Sequence, residues 1–223
     1  MRPAFALSLA LFACSAQAGR PLQAEDAAVM DPQACELEGA HGDWRLDGTG
    51  QRQTGLQLGC GIGWGTEVAL NVIRPRELAL YGKTLLASST WADGDAQLTL
   101  AWSLSHRHVE TVWRRSSAGL ILVGSAPLTR DLTLHVNLGH QRDEMGRRRT
   151  TTWALAIEHG GFGEGGRWQP MAEVFGDDRG KPWANAALRL VLVPERVFVD
   201  ASYGRQVNGP RARLTTVGFK IAF

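Results

Sequence analysis

The 223-residue sequence has almost no charge bias: Lys and Arg number 24 against 22 Asp and Glu, a formal net charge of +2. That balance suggests neither a nucleic-acid surface nor a long disordered tail. After the first residues, no stretch approaches the roughly 20 consecutive apolar residues that a spanning helix needs. A helical membrane protein is excluded. No phosphate-cradling glycine loop, Cys-x-x-Cys pair or dinucleotide fingerprint occurs, so no cofactor follows from the chain. Cysteine is scarce, with three in all.

The start of the chain is informative. MRPAFALSLALFACSAQA carries a positive Arg2, an apolar run from Ala4 to Ala13 and a small-x-small ending at Ala16-Gln17-Ala18. This is the pattern of a secretory signal cleaved after residue 18, leaving a mature chain from Gly19. A lipoprotein box at Leu11-Phe12-Ala13-Cys14 competes, but Phe12 fits it poorly. After export Cys35 and Cys60 remain, a pair in an oxidising compartment, and a disulfide between them is expected.

Period-two alternation then recurs along the chain, broken by Gly, Pro, Asp and Asn. Val217, Phe219, Ile221 and Phe223 share one face while Thr216, Gly218 and Lys220 share the other. Leu132, Leu134, Val136 and Leu138 alternate with Thr133, His135 and Asn137, and Trp153, Leu155 and Ile157 with Ala154, Ala156 and Glu158. This is the signature of many short antiparallel strands.

A soluble sandwich would turn the apolar face inward and cover the outside with charge, whereas a membrane barrel turns the apolar face to lipid around a polar lumen. The tryptophans favour the second: Trp44, Trp102, Trp113, Trp153 and Trp183 fall near one set of strand ends, Trp64, Trp91 and Trp168 near the other, as two interfacial belts. The expected fold is all-β, an antiparallel up-and-down transmembrane barrel over residues 34–223 in the outer membrane. Twelve strands are placed, with ten as the alternative. An even count returns both termini to the periplasmic side. Longer charged loops are expected outside at Ser105 to Ser116 and Gln141 to Arg149.

Strands 34–46 and 53–62 form a hairpin that brings Cys35 opposite Cys60, on the face of Leu37 and Leu58. The lumen is expected to hold a polar network of Glu158, Glu173 and Arg189, with Asp200 meeting Lys220, because charges in a narrow barrel must find partners or water. Residues 19–33 either fold into the lumen as a plug or extend into the periplasm, the tail being slightly favoured.

Catalytic chemistry has little to stand on. Ser105 beside His106, and His135, His140 and His159, are pieces without a motif, so no catalytic residue is assigned and no enzyme is expected. His106 and His108 would need a third ligand to bind metal, so no metal site is assigned. Their loop and the run Arg147-Arg148-Arg149 read first as solvated loops, with contact to outer-membrane lipids and lipopolysaccharide, or adhesion, as the functional alternative.

The order SAPLTRDLTLHVNLGHQRD, TTWALAIEH, AEVFGDDRGKPWANAALRLVL, VFVDASYGRQ and LTTVGFKIAF, preceded by RPLQAEDAAVMDPQACELE with its Glu25-Asp26 pair, resembles the transporter-like outer-membrane barrels of the MetA pathway of phenol degradation. The resemblance implies a closed barrel that moves small solutes, hydrophobic or aromatic ones among them, without defining the substrate. The alternative is a structural or surface-interaction barrel without transport, and behind it a barrel lipid hydrolase. The aromatic Phe223 after an alternating strand resembles the signal by which the barrel-assembly machinery recognises its clients.

Overall fold

In the computed structural model of the chain, residues 21–46, 49–91, 94–209 and 212–223 are described. The expected signal peptide, with Cys14, lies outside them. Twelve strands follow in order: β1 (Cys35–Leu46), β2 (Thr49–Gly63), β3 (Thr66–Arg74), β4 (Glu77–Trp91), β5 (Gly94–Val109), β6 (Val112–Thr129), β7 (Leu132–Asp143), β8 (Arg148–His159), β9 (Trp168–Asp177), β10 (Trp183–Val193), β11 (Val197–Gln206) and β12 (Arg213–Ala222). Each pairs with its sequence neighbour, and β12 returns to β1 to close the barrel. All the pairings are antiparallel, the closing one running from Glu36 opposite Ala222 to Arg45 opposite Arg213. Closure leaves no unpaired sheet edge, the condition for strands to survive in hydrocarbon.

Alternation decides which side each residue faces. Leu58, Val136, Leu138 and Val217 are 50%, 48%, 58% and 50% exposed, so the large aliphatic side chains coat the outside. Ala69, Ala79, Ala154, Ala156 and Ala187 are buried together with Gln57, Asn137, Glu173 and Asn185, so the inside is lined by small and polar residues. This is a soluble protein turned inside out, as lipid contact requires. β1 begins and β12 ends at one end of the barrel, called here the terminal end; the opposite rim is the far end.

The first hairpin holds the expected register. Cys35 stands opposite Cys60 and the two are joined by a disulfide, on the outward face at the terminal end. There the backbone of Phe223 exchanges two hydrogen bonds with Cys35, each 2.9 Å, so the final residue is tied to the first strand.

Two expected loops are shorter than the sequence suggested. β5 continues to Val109 and β6 resumes at Val112, while β7 and β8 extend to Asp143 and from Arg148. These strand ends project past the apolar band. In water neither face needs greasy residues, so His106, His108 and Arg115 can all point outward and the alternation that marks a strand disappears.

Candidate functional site in the lumen

The barrel interior is crossed by its own N-terminal segment. At the terminal end Pro32 bridges in parallel to Gly61, whose carbonyl accepts the Gln33 amide at 3.0 Å. A Cβ on Gly61 would collide with the Asp31 carbonyl, so this entry requires glycine. The segment then passes β3, where Glu67 accepts the Met30 amide at 2.8 Å, and reaches Lys83 on β4. Lys83 stands between Asp26 at 3.4 Å and Glu67 at 3.5 Å.

Further across, Thr99 donates to the Ala27 carbonyl at 2.6 Å and Ser125 accepts the Ala27 amide at 2.8 Å. Asn137 clamps the Glu25 backbone from both sides, accepting its amide at 2.6 Å and donating to its carbonyl at 2.9 Å. On the opposite wall Glu173 accepts the amides of Gln23 and Ala24, both at 2.7 Å, while Asn185 steadies the carboxylate at 2.8 Å. Leu22 and Ala24 pack on Ala154, Ala156, Met171 and Ala187. An extended strand with no sheet partner must have its amides and carbonyls met by something. Here luminal side chains meet them, and small wall residues leave the room.

The remaining space has a pattern of charge. Beside the segment lies a cavity of about 470 Å³ into which Glu25, Asp26, Glu36, Glu38, Glu67 and Glu158 project, against Lys83, Arg189 and Lys220. Toward the far end a vestibule of about 530 Å³ reverses the balance, with Arg74, Arg76, Arg107 and Arg148 against Glu77 and Asp143. Arg107 and the buried Glu77 are 2.7 Å apart. Between the two, a smaller pocket of about 120 Å³ is bordered by Trp44, Phe175 and Trp183.

Among the residues singled out from the sequence, Glu158 and Arg189 lie 3.7 Å apart, and Asp200 stands opposite Arg189 in the β10–β11 register. Glu173 belongs to a separate cluster that holds the segment. Lys220 contacts Glu36 and lies 4.0 Å from Glu38, both on β1. Glu36, Glu38, Asn137 and Asn185 were not singled out, although strand parity with Ala222, Lys220, His135 and Ala187 would have found them.

The tryptophans divide three ways. Trp64, Trp91 and Trp168 are exposed at the terminal end and Trp113 at the far end. Trp102 lies outward at mid-wall, opposite Gly82, and Trp153 outward opposite Leu138. Trp44 and Trp183 depart from the belt. Their strands are separated by β11 and β12, yet the rings meet edge to face at 5.5 Å, so they meet inside the barrel. Trp183 also stacks with Phe175 at 6.2 Å. Parity explains it: Trp44 lies on the face of Glu36 and Glu38.

Ser105 and His106 project to opposite faces of β5, Ser105 buried and His106 exposed, so they do not cooperate. A different trio converges: Ser125 Oγ is 2.7 Å from His135 Nδ1, and His135 Nε2 is 3.5 Å from Glu158. These are the side-chain types of a hydrolytic relay. Ser125 Oγ already accepts the Ala27 amide, however, so the trio serves the segment. Among the described residues no group of three His, Cys, Asp or Glu side chains is arranged to hold a metal ion.

No protein-family model matches the chain, and no curated protein does, so the MetA-pathway resemblance is left without a family assignment. Solved structures do match. The chain is similar to the KdgM porin in complex with disordered oligogalacturonate, at 12% identity over 84% of this chain and 99% of that one, with a TM-score of 0.65. An outer membrane channel from Pseudomonas putida F1 matches at 8% identity over 89% of this chain and 98% of that one, TM-score 0.60. The NanC porin matches at 13% identity over 83% and 98%, TM-score 0.53. At such identities the likeness is one of fold, that of outer-membrane porins and channels.

Proposed function

We propose that this outer-membrane β-barrel is a pore-like conduit for small solutes, with its N-terminal segment narrowing the bore. The observation that carries the reading is the polar, two-signed cavity of about 470 Å³ inside a closed wall whose outside is apolar. A barrel that served only as a membrane anchor would gain nothing from leaving such space beside buried charges. With the start of β1 and the end of β12 on the periplasmic side, the far end faces the outside, and its basic vestibule is the first surface a solute meets. The pocket at Trp44, Phe175 and Trp183 offers flat apolar faces on which a hydrophobic or aromatic solute would pause.

One observation favours the alternative, a structural barrel without transport: the segment spans the lumen from β2 to β9 and is hydrogen-bonded along the way. Planar-bilayer recordings separate the two. The mature chain is expected to show discrete ion currents, and a chain lacking residues 19–30 larger ones. A silent mature chain whose truncated form conducts would make the barrel a closed one, and silence in both would overturn the pore.

A further inference from the structure

We propose that the outward face of β11, β12 and β1 at the far end is a binding site for the phosphate groups of lipopolysaccharide, formed by Arg205, Arg213 and Arg45. The inference rests on the placement of the far end outside, and it holds whether or not the lumen conducts.

The register carries the argument. Arg213 stands directly opposite Arg205 on one side and directly opposite Arg45 on the other. All three are exposed and share strand parity with the outward Tyr203, Val217 and Leu37. Side chains so paired start about 5 Å apart, and like charges directly opposite one another destabilise a strand pair. Asp43 relieves part of this, holding Arg45 at 3.1 Å and Arg52 at 3.5 Å. Among the described residues no carboxylate pairs with Arg205 or Arg213. One acid therefore serves four guanidiniums, and the row is complementary to an anion it does not contain.

Height identifies the anion. From Phe223 to Arg213 is ten residues, roughly 33 Å along the strand and about 25 Å along the barrel axis at a typical tilt. That equals the usual height of the apolar band, so the row lies where acyl chains give way to headgroups. Tyr203, Val217 and Phe219 lie below it for the acyl chains. The row is flanked by small residues, Ala184 opposite Arg205 and Gly50 opposite Arg45, which leave open ground on both sides. Guanidinium forks bind phosphate oxygens in bidentate pairs, and a lipid that offers phosphate above several acyl chains satisfies both zones at once.

The test uses purified barrel in detergent and in vesicles containing defined lipopolysaccharide, the same lipid stripped of phosphate, or phosphatidylglycerol. Wild-type protein is expected to bind the phosphorylated glycolipid, and the R205Q/R213Q variant to bind it about tenfold more weakly. R205K/R213K, which keeps charge but loses the fork, should lose only a few-fold. Unchanged heat-modifiable gel mobility establishes that the variants still form barrels. Wild-type binding that is equal for intact and dephosphorylated lipid, or unaltered in R205Q/R213Q, would overturn the proposal. Equal binding of phosphatidylglycerol would also overturn it, in favour of any anionic lipid, and so would displacement by millimolar inorganic phosphate. None of these readings depends on current, so a silent pore would leave them intact.

Discussion

Replacing Glu173 by Gln should free the front of the luminal segment and nothing else. The carboxylate receives the amides of both Gln23 and Ala24 at 2.7 Å, with Asn185 on the same group. It is buried, so water does not compensate for a lost partner. A glutamine keeps the shape but presents one acceptor and one N–H₂, and the latter would face an amide that also donates. Hydrogen bonds to a charged group contribute about 1.5–3 kcal/mol each, against about 1 kcal/mol for neutral ones. Because Gln23 donates to both carboxylate oxygens, at 2.7 and 2.9 Å, the one oxygen that remains can still take both amides. The cost is the loss of charge assistance on each, about 1–4 kcal/mol in all, roughly a 5- to 700-fold rise in local opening at 1.4 kcal/mol per decade. Amide hydrogen exchange reads this directly. Gln23 and Ala24 should exchange faster by that factor, while Ala27 and Met30, held by Ser125 and Glu67, stay within a few-fold of wild type. Unchanged exchange at Gln23 and Ala24 would refute the anchoring role. Equal acceleration along the whole segment would refute the idea that each side chain holds its own stretch.

The other expectations are simpler. Gly61→Val should block the segment's entry through collision with the Asp31 carbonyl, exposing residues 21–34 to protease and raising conductance; a protected segment would contradict the close approach. The cavity's excess of carboxyl groups should make the pore prefer potassium over chloride, and the Glu36→Gln, Glu67→Gln double variant should lose most of that preference in reversal-potential measurements. An anion-selective wild type would contradict it. Replacing both Cys35 and Cys60 by Ser opens a loop of sequence separation 25 and should lower stability by about 3 kcal/mol, read as a denaturant midpoint. A change below about 1 kcal/mol would mean that the hairpin holds its register in the unfolded chain.

Much of the architecture was legible because a strand in a membrane barrel has two chemically different faces. Val217, Phe219 and Ile221 against Lys220 disclose a strand and its orientation without any partner. Placing the first hairpin over 34–46 and 53–62 brings Cys35 opposite Cys60, the register found in the structure. The same logic failed where its cause was missing. Above the lipid both faces are wet, so Ser105 to Ser116 reads as loop in the sequence although it is strand up to a two-residue turn. Residue type and proximity to strand ends assign Trp44 and Trp183 to a belt, whereas their parity puts them inside.

Export, an all-β membrane wall and a first hairpin with Cys35 opposite Cys60 are legible from local order, a signal, an alternation and a turn, while the same order leaves twelve strands and ten both open. What fills the barrel is settled by closure. Residues 22–30 carry no alternation because their partners are not neighbours along a sheet but Glu67, Lys83, Thr99, Ser125, Asn137 and Glu173, brought together from six strands by closure. The outward arginine row depends on closure in the same way. Arg45 and Arg213 lie at opposite ends of the chain and become neighbours only when the last strand meets the first.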